Sequence, residues 1–163
     1  MALFLLRMRR SMGVLAVVLG LASAAVAAPQ QAAEITLHAL PGHSKWLPKE
    51  SPLFGDYLAS GEGAVSGGLA GRIVWDLYED QSREDRHPAW FLGYLEREGR
   101  RFPFVIVGIY TPDSADRLRW RISGTITFDD AKLLGAPHAP ITGLFEANSM
   151  SARYAVWIDR DAR

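Results

Sequence analysis

Residues 117–128 read RLRWRISGTITF, and their alternation decides the fold class. Leu118, Trp120, Ile122, Ile126 and Phe128 fall on one face of an extended chain. Arg119, Arg121, Ser123, Thr125 and Thr127 fall on the other. Side chains alternate with a period of two along a strand, so this segment has one apolar and one solvated face, as strands of an antiparallel sheet do.

The same chemistry continues on both sides. Strands are predicted at 71–79 (GRIVWDLYE), 89–97 (AWFLGYLER), 101–111 (RFPFVIVGIYT), 140–147 (PITGLFEA) and 152–160 (ARYAVWIDR). All are rich in β-branched and aromatic residues. Their connections are short and polar. Glu98-Gly99 makes a tight hairpin, Pro112-Asp113-Ser114 marks a turn, and Asp129 to Lys132 with Gly135 leaves room for one helical turn at most. Upstream, Glu34 to Leu40 (EITLHAL) alternates as a first strand, preceded by a flexible leader at 28–33. A loop carrying Trp46 follows. Ser51-Pro52 then reads as a helix start, with Phe54, Tyr57 and Leu58 at helical spacing and Gly61 as the stop. Residues 55–71 hold six glycines and read as a flexible or tightly turning stretch. Phe104 to Ile109 is apolar on both faces and calls for cover on both, from the short helix or the N-terminal segment.

Four predicted strands carry one interior glycine each: Gly93, Gly108, Gly124 and Gly143. Interior glycine weakens a flat strand, whereas bulges and the sharp coiling of a closed barrel require it. Short antiparallel connections without helical crossovers favour a meander. The expected fold is all-β: a small antiparallel barrel of about 7–8 strands with at most one short helix, with a β-sandwich as the alternative. Residues 28–70 form its N-terminal part and 71–163 its antiparallel core, within one domain.

The N-terminus predicts export. Arg7, Arg9 and Arg10 precede an uncharged apolar run from Met12 to Val26. That run has the length of a signal-peptide core and falls short of the roughly 20 residues of a spanning helix. Ala25-Val26-Ala27 supplies the small-residue cleavage motif, so residues 1–27 are expected to be removed after Ala27. Met8 is an alternative start. The chain has no cysteine, which excludes a disulfide framework, a thiolate nucleophile or metal ligand, and lipidation. The expected product is periplasmic or secreted, with no membrane span after cleavage. Cleavage takes away three arginines and no acid, leaving 15 basic and 18 acidic residues and a net charge of −3. That balance argues against nucleic acid as a partner.

The sequence carries no motif for a specific chemistry. Gly61-Glu62-Gly63-Ala64-Val65-Ser66-Gly67 has its third glycine one position late for a dinucleotide loop and lacks the strand–helix–strand setting. His38, His43, His87 and His138 are scattered without metal-ligand spacing, and His87 and His138 sit beside prolines in predicted loops. Glu79-Asp80 and Asp129-Asp130 read as turn and capping residues. No metal or cofactor is expected. The thirteen aromatics on the six strands from residue 71 onward are enough to fill a core on both faces; either one face packs a helix or partner as ordinary core, or the interior is an aromatic-lined pocket.

The leading expectation is a binding module for a small, partly apolar molecule, lined by Trp75, Trp90, Tyr94 and Trp120, with Arg121 or Glu96 orienting a polar end. A protein-interaction or inhibitor module is one alternative. Another is a cofactor-free isomerase, cyclase or hydrolase using a buried carboxylate, for which Glu96 and Glu146 are the candidates. On the parity of 89–97, Trp90, Leu92, Tyr94 and Glu96 would form the inward face.

Overall fold

A computed structural model describes residues 28–48 and 55–158. The expected signal segment 1–27, the expected helix start at Ser51-Pro52 with Phe54, and the predicted strand end at 159–160 lie outside the described residues.

Eight strands run in chain order: β1 (Gln30–Trp46), β2 (Tyr57–Gly67), β3 (Gly71–Glu79), β4 (His87–Arg97), β5 (Arg100–Asp113), β6 (Asp116–Phe128), β7 (Ala139–Glu146) and β8 (Ser151–Ile158). Each pairs antiparallel with the next, and β8 pairs back onto β1, closing the barrel. Closure leaves no sheet edge to aggregate. The sandwich alternative is thereby set aside. One 3₁₀ turn, Ala131–Leu133, links β6 to β7. The Asp130 side chain caps it by accepting the Lys132 amide at 3.0 Å.

The barrel interior is an apolar core. Ile35 and Leu37 from β1, Ile73, Trp75 and Leu77 from β3, Phe91 and Leu95 from β4, Ile106 from β5, Ile126 from β6, Ile141 from β7, and Tyr154 and Val156 from β8 are all buried. Phe102, Phe104 and Phe128, with Leu69 and Leu134 from the connecting turns, fill one end. The outer surface is mixed, with ion pairs such as Arg72–Glu96 and Arg121–Asp113.

Strand β2 was not expected as a strand. The segment foreseen as a short helix and a glycine-rich loop instead runs extended from Tyr57 to Gly67, in unbroken register with β3. Propensity argues against this, but the ladder hydrogen bonds to β1 and β3 outweigh it. The glycines serve close packing here. A Cβ on Gly61 would overlap the Trp75 ring and the His38 carbonyl oxygen. The leader foreseen as flexible up to Ala33 is likewise strand from Gln30.

The interior glycines of β4 to β7 also have a different reason from the bulges expected. Register runs unbroken through Gly93, Gly108, Gly124 and Gly143. A Cβ on Gly93, Gly124 or Gly143 would strike a carbonyl of the neighbouring strand, so these are sites of tight coiling. The irregularities lie instead in β1, between Gln31 and Ala33 and between Ala39 and Ser44, and at Pro112–Asp113 in β5.

The apolar outer face of β5 is not covered by any described residue. Val105, Val107 and Ile109 remain 37–49% exposed, contrary to the cover expected on both sides.

Candidate functional site

The cavity sits inside the barrel at the end away from the phenylalanine plug. Its volume is about 260 Å³, roughly nine times the ~30 Å³ share of a water molecule. It exists because small residues face inward there. Ala39, Ala59, Ala147 and Ala152 line its wall, and Gly61 lets the Trp75 indole lie flat against β2. Phe91 lies at the centre of the aromatic wall. Its ring centroid is 5.6 Å from Trp75, 6.0 Å from Tyr154 and 6.5 Å from Tyr110. Gln81, Trp120 and Met150 line it nearer the surface.

Three polar features stand in or behind this apolar wall. The Tyr110 and Tyr154 hydroxyls are 2.6 Å apart, and both residues are buried. Burial, then the neighbouring Tyr154 hydroxyl, hold the Tyr110 hydroxyl well above its usual range; burial does the same for Tyr154, against the hydrogen bond with its partner. Both stay protonated at any physiological pH. Glu79 Oε1 lies 2.7 Å from His87 Nδ1, again with both residues buried. Desolvation pushes the Glu79 carboxyl above its ordinary value; hydrogen bonding to Gln81 and His87 only partly offsets this. The His87 ring packs on Trp120, centroid to centroid 4.3 Å at 30°. The last feature is an orphan. Trp75 Nε1 is buried with no hydrogen-bond partner among the described residues, a condition native proteins avoid unless something else supplies an acceptor.

Two of the five expected lining residues are at this site. Trp75 and Trp120 line the cavity. Trp90, Tyr94 and Arg121 do not: they belong to the outward-facing set. Tyr94 packs under the Arg101 guanidinium at 4.5 Å, and Arg121 pairs with Asp113 at 3.2 Å. The β4 parity is the reverse of the one expected. His87, Ala89, Phe91 and Leu95 face in, and Trp90, Leu92, Tyr94 and Glu96 face out. Both sets are apolar, so alternation alone could not orient the strand. Gly93 belongs to the inward set, where a Cβ would overlap the carbonyl oxygen of Val74.

The two acidic candidates also lie outside. Glu96 bonds Arg72 at 3.1 Å and Arg101 at 3.0 Å on the surface, and these arginines hold its carboxyl below its ordinary value. Glu146 pairs with Arg119 at 3.4 Å. Neither is desolvated by the cavity. The acid that is buried there, Glu79, had been read as a turn residue. A signal was present: Glu79 shares parity with Ile73, Trp75 and Leu77. His87, read as a loop histidine, likewise shares parity with Ala89, Phe91 and Leu95 and begins β4. Among the described residues no group of three or more His, Asp or Glu side chains is placed to hold a metal ion.

Comparison with protein-family models, with curated proteins and with solved structures gives no match. The site is therefore read from its own chemistry.

Proposed function

We propose that this protein is an exported binding module that takes one small, largely apolar molecule into the end of the barrel. The observation that carries the reading is the preformed, largely apolar cavity of about 260 Å³ in one end of the barrel, with Glu79 and His87 as polar groups on its wall. A preformed apolar cavity with few placed polar groups is the usual build of a small-molecule site. A cavity of ~150 Å³ already admits benzene, so this one suits a ring with a side chain or a fused pair of rings.

The test is native mass spectrometry of protein purified from its own host, beside an Ala59→Leu variant that fills the cavity. A retained small molecule in the wild type, absent from the variant, supports the reading. Wild-type protein that carries nothing, and whose tryptophan fluorescence no small aromatic or alicyclic ketone, alcohol or ester shifts, refutes it.

A second reading, a protein-interaction module, draws on the outer face of β4 and β5. Leu92, Val105, Val107 and Ile109 are 37–49% exposed and adjoin one another through the ladder. Contiguous exposed apolar surface marks contact sites. Size-exclusion chromatography of wild type and Val107→Lys tests it: a larger species that the variant abolishes is the supporting result, and monomer alone with no protein co-purifying counts against it.

A further inference from the structure

We infer that the molecule this cavity takes is a cation: a small aromatic or alicyclic amine whose ammonium group is met by the Glu79 carboxylate, with its ring system against the aromatic lining. This rests on the reading that the cavity takes up a small molecule, and it names the class of that molecule.

The charge of the lining points to a cation. Among the described residues that line the cavity there is one acid, Glu79, one histidine, His87, and no lysine or arginine. A ligand carboxylate or phosphate entering here meets a carboxylate and no fixed countercharge. A neutral ligand leaves Glu79 with His87 alone to balance its charge. An ammonium group supplies the missing charge itself.

The setting of the acid adds to this. An ionised carboxylate in an apolar wall is costly unless it is paired and hydrogen-bonded. Desolvation raises the Glu79 carboxyl, and hydrogen bonding to Gln81 and His87 offsets this only in part. The two oxygens of a carboxylate offer about four acceptor sites, so these two partners leave room for a ligand N–H. Glu79 can also be reached: 10% of its side chain and 11% of that of His87 stay exposed, and both residues line the cavity. Asp56, which accepts the Gln81 backbone amide at 2.8 Å, places a second negative charge nearby and raises Glu79 further. A bound cation acts in the other direction, because an opposite charge favours the ionised carboxylate. The titratable groups facing Glu79 are Asp56, Tyr57, His87, Tyr110 and Tyr154. None of them is a permanent cation.

Aromatic surface adjoins the acid. The faces of aromatic rings attract cations, and more strongly where water is excluded. Tyr57, Trp120 and Phe145 line the cavity and are only partly buried. Trp120 packs on the His87 ring, and His87 bonds Glu79. A carboxylate beside partly open aromatic rings suits a molecule that joins an ammonium group to a ring.

The test uses three probes with one bicyclic frame and different charge: 2-aminoindane, 2-indanol and indane-2-carboxylate. Each is titrated into the wild-type protein by calorimetry at pH 8, where the raised carboxyl is more fully ionised than at lower pH and the amine is still an ammonium ion. Wild type is expected to bind the amine at least about tenfold more tightly than the alcohol, as one hydrogen bond to a charged group allows, and the carboxylate most weakly. Glu79→Gln should abolish the preference for the amine while leaving the affinity for the alcohol largely unchanged. If Glu79→Gln does not fold, proton release by the wild type decides. Amine binding at pH 5, followed in buffers of different ionisation heat, should release protons as the Glu79 carboxyl is drawn down; the same result for the alcohol, or no release with the amine, overturns the inference. Alcohol or carboxylate bound as tightly as the amine, or an amine preference that survives Glu79→Gln, also overturns it and leaves the binding reading standing. If none of the three probes binds, the amine inference falls, and the binding reading is judged by the retained-ligand experiment alone.

Discussion

Replacing Tyr110 and Tyr154 with phenylalanine, singly and together, measures how self-contained the buried polar wall is. Their hydroxyls are 2.6 Å apart with both residues buried. Either single change removes one hydrogen bond and leaves the other hydroxyl facing an apolar wall. An unsatisfied buried hydroxyl costs about 1–3 kcal/mol, whereas replacing both partners with apolar groups of the same shape is nearly neutral. Each single variant is therefore expected to lose about 1.5–2 kcal/mol, and the double variant no more than about 1 kcal/mol. The coupling is then roughly 2–3 kcal/mol, well above the 0.3–0.5 kcal/mol scatter of independent sites. Urea unfolding at pH 7 gives all three values, with a common m-value as the check that only the native state has changed. Both hydroxyls are protonated at that pH, since burial holds them above their usual range. Additive losses would show that the two hydroxyls do not depend on each other. Single variants as stable as wild type would show that another group, or water in the cavity, takes the lost partner's place.

Four further outcomes follow from the same geometry. Phe91→Ala removes the ring on which Trp75, Tyr110 and Tyr154 pack and should cost about 3–5 kcal/mol, read by urea unfolding; a loss under 1 kcal/mol contradicts its central place. Gly61→Ala puts a methyl group into the Trp75 ring and the His38 carbonyl, so about 1–3 kcal/mol of overpacking and a shifted tryptophan emission are expected, and unchanged emission counts against the contact. Glu79 has a folded-state carboxyl raised above its unfolded value of 4.5, so the folded state binds more protons between those two values. Its contribution is then fully present below 4.5 and is lost as pH rises through the raised value; comparing wild type with Glu79→Gln from pH 4 to 8 should show that loss in the wild type only, and parallel curves refute it. If the chain is exported as proposed, intact mass of protein recovered from a bacterial periplasm should begin at Ala28, and an N-terminus at Met1 or Met8 argues against cleavage.

Much of the barrel was legible along the chain. Seven of the eight strands, the hairpin at Glu98-Gly99 and the single helical turn near Ala131 are local features, written in period-two alternation and turn residues. The strand missed was β2, because Gly61 and Gly63 depress local propensity while the reason for them is a neighbour's backbone and the Trp75 ring. The site was legible only where one face was polar. On β3 and β6, Asp76 and the arginines marked the outside, and Trp75 and Trp120 were placed correctly. On β4, Trp90, Phe91, Leu92 and Tyr94 are apolar on both faces, so the strand carried no local mark of its orientation.

The sequence by itself determined an antiparallel all-β chain with a barrel-like meander, because strand alternation and turn chemistry act over a few residues. Only the tertiary structure decided which face of β4 is inside, and with it that Glu79 and His87, rather than Glu96 and Glu146, are the desolvated groups. The physical reason is close approach. Gly93 on β4 must lie against the Val74 carbonyl, and Gly61 against the Trp75 ring, contacts between strands that nothing local to either glycine encodes.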